Sequence, residues 1–198
     1  MILLVAADGD GRIISYDLGR PGSHGDSGVY NSCCIKDIIQ SDIVPDPEPF
    51  APGLPPTPYF YVGDAAFALD DTMMKGYAHD TDVISERVFN YRLSRARRIV
   101  ENCFGMLSNR FRLLLTTIEN SPDNTIKIVR CMLAIHIFLI TERLSSTTED
   151  NDEDDSEMIA LISRPHVGHT PTGRSVRSFI EEFFMTDEGG IDQQWGLL

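Results

Sequence analysis

Cysteine is scarce and poorly spaced for chemistry: the 198 residues hold four, two of them adjacent and none in a CxxC pair. This excludes a thiol-redox motif and a zinc finger, and reduced, buried thiols are the expectation for Cys33, Cys34, Cys103 and Cys131. No GxSxG, Walker or HExxH motif is present, so the usual signatures of a serine hydrolase, a P-loop nucleotidase and a zinc protease are missing. No apolar run approaches the length that spans a bilayer. The opening "MILLVAADGDG" has no basic flank and turns polar too early for a signal peptide, so a cytosolic or nuclear chain is expected.

Positive charge is also in short supply. Lys and Arg number 17 against 30 Asp and Glu, a net −13, which argues against a general polyanion binder. The average conceals two opposed fields. Residues 149–157, "EDNDEDDSE", hold seven carboxylates in nine positions. Residues 86–112 hold Arg87, Arg92, Arg95, Arg97, Arg98, Arg110 and Arg112 against Glu86 and Glu101. A local basic field therefore sits inside an acidic chain.

Residues 2–7 and 13–19, joined by "DGDG", predict a β-hairpin, since Gly and Asp supply the turn chemistry. A Gly-rich loop follows over 18–30, then a short helix over 27–40. Seven of the eleven prolines fall in 41–58, a surface crossover without regular structure. "YFYVGDAAFAL", 59–69, predicts a buried strand ending at Gly63-Asp64, followed by a polar loop over 70–82. The next helix, capped by Asp82 or Ser85, carries a continuous apolar seam at Phe89, Leu93, Ala96, Val100, Cys103 and Leu107. A second helix over 122–143 accepts Pro122 in its first turn and is apolar almost all round, which predicts burial. A solvated acidic loop spans 145–157, a closing helix 173–185 and a loose tail 186–198. The class is α/β with few strands for its length, one domain over 1–185.

Glu101 lies roughly 120° from the apolar seam at ~3.6 residues per turn, on a strip with Asn90, Ser94, Arg97 and Gly105. That strip suits projection into a cleft; an i, i+4 surface ion pair with Arg97 is the simpler use of the same carboxylate. Asp64 ends the strand expected at 59–69, where carboxylates of α/β proteins face a ligand crevice, or else caps the following turn. Asp26 lies in the Gly/Ser/His loop. Three carboxylates on a loop, a strand end and a helix flank are the parts of a Mg²⁺ or Mn²⁺ site, with arginines nearby to neutralise phosphates. His24 adjoins this set in sequence. His136 reads as a satisfied core histidine, and His166 and His169 as loop residues.

These stretches together resemble the transposase-derived nuclease domain of PIF/Harbinger elements, a DDE-type RNase H-like domain. "LGRPGSHGDSGVY" resembles its Gly-rich loop, "YFYVGDAAFAL" its Gly-Asp strand, and "ERVFNYRLSRARRIVENCFGMLSNRFRLL" its arginine-rich helix. "CMLAIHIFLI" resembles a later helix, with Ile137 where an Asn is usual, and "GRSVRSFIEEFF" the end of the domain. The resemblance implies an RNase H-like mixed sheet flanked by helices, and metal-dependent cleavage of DNA in the nucleus. It implies Asp64 and Glu101 as catalytic residues, and Asp26, Asp64 and Glu101 as ligands of two divalent ions. It further implies Arg92, Arg95, Arg97 and Arg98 against DNA, and a separate DNA-binding partner protein.

The family's first Asp, on a strand upstream of the hairpin, has no counterpart here. An N-terminally truncated domain with impaired cleavage is therefore expected, or an inactive remnant that binds protein or DNA. Asp8 and Asp10, being turn residues, are expected to face away from the site.

Overall fold

The computed structural model describes residues 1–41, 44–49, 54–148 and 173–197. The chain divides into two compact units, one of Met1–Arg20 with Ile99–Val167 and the other of Pro21–Arg98 with Gly168–Leu198.

In the first unit, β1 (Ile2–Ala7) and β2 (Ile13–Arg20) form the expected antiparallel hairpin. Its turn is organised by Asp8, whose Oδ1 accepts the N–H groups of Asp10 at 3.1 Å and Arg12 at 2.9 Å. The Asp8 carboxylate also faces Arg12 Nε at 3.2 Å. Gly11 closes the turn at φ 79°, a conformation that L side chains rarely adopt. The register Leu3↔Leu18 and Val5↔Tyr16 puts four large side chains against a core of Ile13, Cys103, Leu107, Val129 and Leu133. The last two belong to α4 (Pro122–Thr148), which begins after Ser121: its hydroxyl accepts the Asn124 N–H and its carbonyl that of Thr125.

The expectation that α4, apolar almost all round, is buried is corrected by the structure on one side. Val129, Leu133, His136 and Ile140 are buried, but Ile135, Phe138 and Leu139 are exposed. The segment Pro122–Ser146 is also long and apolar enough to cross a membrane by length and composition: an 18-residue stretch within it has a mean hydropathy of 1.5 and is a third buried. The sequence reading missed it because polar residues such as His136 and Thr141 interrupt the run without lowering its average much. Residues 145–148, expected as the start of the acidic loop, continue the helix; residues 149–157, and with them His166 and His169, lie outside the described residues.

The second unit opens with two short helices in place of one, α1 (Gly25–Ser32) and α2 (Cys34–Ile39), broken at Cys33, which is extended at φ −108° and ψ 164°. Of the crossover, the described residues contain one isolated bridge, Glu48↔Thr57; positions 42–43 and 50–53 lie outside them. The long strand expected over 59–69 is two residues, β3 (Tyr61–Val62), paired in parallel with β4 (Met73–Met74) inside the stretch expected to be loop. Asp64 is the reason β3 stops: its Oδ1 accepts the Ala66 N–H at 2.9 Å and turns the chain. Among the described residues the strands thus form two separate two-stranded ladders.

Helix α3 (Ile84–Arg110) contributes residues 84–98 to this unit and 99–110 to the first. Thr81, and neither Asp82 nor Ser85, organises its start: its hydroxyl oxygen accepts the Val83 N–H at 3.3 Å and it also bonds Glu86. The Ser85 hydroxyl instead donates to Glu181 at 2.5 Å. The apolar seam is divided, because Ala96 is exposed. Phe89 and Leu93 pack with Met74, Val176 and Ile180 in the second unit, whereas Cys103 and Leu107 serve the first. Val176 and Ile180 come from α5 (Gly173–Phe184). The tail expected to be loose is tied down. Residues Asp192–Leu197 form a 3-10 turn, and Gln194 is fully buried, donating to the Phe184 carbonyl at 2.8 Å.

Candidate functional site

Glu101 lies on the part of α3 that belongs to the first unit and is exposed. It lines an open cleft of about 540 Å³ together with Asp10, Asn102 and Asn109. Ile99 and Met106 form the apolar wall, and Gly9, Gly11 and Gly105 the places without side chains. The i, i+4, i+8 spacing of Glu101, Gly105 and Asn109 brings them to one helix face, and the Asp8-centred turn carries Asp10 to the same cleft. A Cβ on Gly105 would meet nothing within 4 Å, so the cleft is open at that point. Its polar lining consists of carboxylates and amides: oxygen donors suited to a hard cation, and amide N–H groups suited to a phosphate.

The expectation for Asp10 is therefore corrected. As a turn residue it was expected to face away from Glu101, yet both line one cleft. The turn directs Asp8 into its own backbone and leaves Asp10 at the exposed tip. Asn102 and Asn109 were not anticipated either, although the i, i+8 spacing of Asn109 from Glu101 was legible.

Asp26 and Asp64 belong to the second unit. Asp26 is exposed in the first turn of α1, a helix where a loop was expected. Asp64 is half-buried and engaged in the turn to Ala66. Among the described residues no group of three or more His, Cys, Asp or Glu side chains is placed to hold a metal ion.

The four arginines differ in what holds them. Arg92 donates to the Gly189 carbonyl at 3.1 Å and to Gln194 Oε1 at 3.2 Å, and its guanidinium lies 4.3 Å from the centre of the Phe184 ring. It therefore anchors the C-terminal turn. Arg95 donates to Gln193 Oε1 at 2.7 Å in an exposed setting. Arg97 is half-buried and Arg98 exposed.

His24 is exposed, before α1. His136 is the satisfied core residue expected: fully buried, with Nδ1 3.0 Å from Arg110 Nη1 and Nε2 3.6 Å from Cys103 Sγ. Because a guanidinium only donates, Nδ1 is the acceptor and Nε2 carries the proton toward the sulfur. Burial first, then the Arg110 and Arg143 charges, push this imidazole below its ordinary value. Burial likewise raises the Cys103 thiol. The pair is held neutral, which suits packing and not nucleophilic catalysis.

The protein family described as DDE superfamily endonuclease matches residues 1–136, a span that holds Asp26, Asp64, Glu101 and all four arginines. No curated protein and no solved structure matches the chain.

Proposed function

Since the chain belongs to the DDE superfamily endonucleases, we propose that it is a transposase-derived DNA endonuclease domain of the PIF/Harbinger type, with an RNase H-like fold, working in the nucleus with weak cleavage of its own. The family generally uses divalent metal and acts on DNA. Mg²⁺ or Mn²⁺ is the proposed cofactor, Asp26, Asp64 and Glu101 its ligands, and a bound ion pair would activate water and stabilise the leaving 3′ oxygen. Arg95, Arg97 and Arg98 meet the phosphates, and Arg92 supports them through the C-terminal turn. The observation that carries the reading is Glu101, the helix carboxylate of the matched span, on the wall of an open cleft.

The test is plasmid nicking with Mn²⁺. Slow nicking that disappears in Glu101→Gln and Asp64→Asn is expected, and nicking unchanged in Glu101→Gln removes the assignment. A second reading, a DNA-binding module without cleavage, is favoured by the lack of a three-donor group among the described residues. Calorimetric titration separates the two: tight, two-site Mn²⁺ binding eliminates the module, whereas DNA shifts without metal binding eliminate the nuclease.

A further inference from the structure

The outer face of α4 carries an ordered pattern that neither the endonuclease reading nor the core uses. Lys127, Cys131, Ala134, Ile135, Phe138 and Glu142 are all exposed. At ~100° per residue they fall within about 40° to 60° of one line along the helix. Phe138 is 61% exposed and Ile135 43%, on a helix whose opposite face, Val129, Leu133, His136 and Ile140, is buried. Isolated exposed apolar residues need no explanation, but a stripe over four turns with a cation at one end and an anion at the other does.

The stripe is complementary to itself. Turned end over end about the point midway between Ala134 and Ile135, it sets Lys127 opposite the partner's Glu142 and Cys131 opposite the partner's Phe138. Ala134 then meets the partner's Ile135, so the small residue of each helix receives the larger one of the other. Arg130 and Arg143 lie roughly 100° and 120° from the line, off the contact.

We propose that this face of α4 is the interface of a symmetric antiparallel dimer, its occupant a second copy of this chain. Two-fold symmetry requires each residue's partner to lie on the same patch, and this stripe meets that requirement at both charged and both apolar pairs. A contact spanning roughly 22 Å of helix is small, so the dimer is weak, with a dissociation constant in roughly the micromolar range. The claim is independent of metal binding and of nuclease activity.

Sedimentation equilibrium of the full chain tests it. The wild type is expected to pass from monomer to dimer with rising concentration, and Phe138→Ser, a change at an exposed site, to weaken association at least tenfold. Lys127→Glu and Glu142→Lys are each expected to weaken it, and the double variant to restore it because the pairs are only exchanged. The register has its own test in a Cys34→Ser, Cys131→Ser background. Ala134→Cys in that background should cross-link under mild oxidation, being nearly on the axis, whereas Cys131 kept in a Cys34→Ser background should not, since its two copies lie roughly 10 Å apart along the helix. A monomer up to several hundred micromolar, or a dimer indifferent to both Phe138→Ser and the charge exchange, overturns the proposal. Co-sedimentation of the monomer with anionic lipid vesicles, lost in Phe138→Ser, also overturns it and assigns the stripe to a membrane surface.

Discussion

The Arg110 guanidinium donates to Nδ1 of buried His136 at 3.0 Å, fixing a cation beside an imidazole that must stay neutral. The unfolded chain takes up a proton near the ordinary histidine value of 6.5, the folded chain only at lower pH. The stabilisation is therefore complete above about pH 6.5 and is lost as pH falls through the folded value. Urea midpoints of the wild type should fall between about pH 7.5 and about pH 5.5, and fall less in His136→Gln. His136→Ala, which empties a fully buried site, should cost about 2–4 kcal/mol at neutral pH.

Asp70 governs the second unit in the same pH direction but over a lower range, through a carboxylate that must stay charged. Its Oδ2 pairs with Lys36 Nζ at 2.8 Å, and its Oδ1 accepts both the N–H and the hydroxyl of Thr72 at 2.8 Å. Burial alone would raise this carboxyl, but the Lys36 and Thr72 donors outweigh it and hold it below the ordinary range. Asp70→Asn should lower stability by about 1–3 kcal/mol near neutral pH. The difference from wild type should shrink on acidification below about pH 4, as the native carboxylate is itself protonated. A difference that stays constant down to about pH 2 would refute this role.

Arg92 should behave as an anchor. Hydrogen exchange of Arg92→Ala is expected to show faster amides over residues 189–194, and Arg92→Lys should not rescue them, since lysine lacks the planar group that lies over Phe184. In mobility shifts against salt, Arg98→Ala should lower the slope by about one, and Arg92→Ala by less.

Two glycines give opposite results when replaced. Gly105, in α3 with open space at its Cβ position, should accept alanine with a gain of about 0.5–1 kcal/mol. Gly173, at the start of α5, would place a Cβ 2.1 Å from the Asp70 carbonyl oxygen, and alanine there should cost about 1–3 kcal/mol. Thermal melts of the two variants should shift in opposite directions.

The helices and the hairpin were legible because their signals are local: a 3.6-residue apolar period in α3, a long apolar stretch after Pro122 in α4, and the Gly-Asp turn between β1 and β2. Where the sequence reading fell short, a distant or competing contact decided. The β-formers around Tyr61 suggested a long strand, but Asp64 turns the chain at Ala66 and the partner strand is only Met73–Met74. The tail looked loose because Arg92, which holds it, lies 97 positions away from Gly189. The α3 seam looked continuous because Ala96 fits the period, although it is exposed. Within the candidate site, Glu101 was legible as a cleft residue from its helical position. Asp10 was not, since only the folded turn reveals that Asp8 takes the backbone N–H groups.

The distribution of thiols supplies a built-in reporter. Against the expectation of four buried thiols, Cys34 and Cys131 are exposed, whereas Cys33 lies buried in the second unit and Cys103 in the first. A dilute sample exposed to an alkylating reagent should react twice quickly and then slowly at two further sites. Peptide mapping of those slow sites gives a separate clock for the opening of each unit, without any engineered probe.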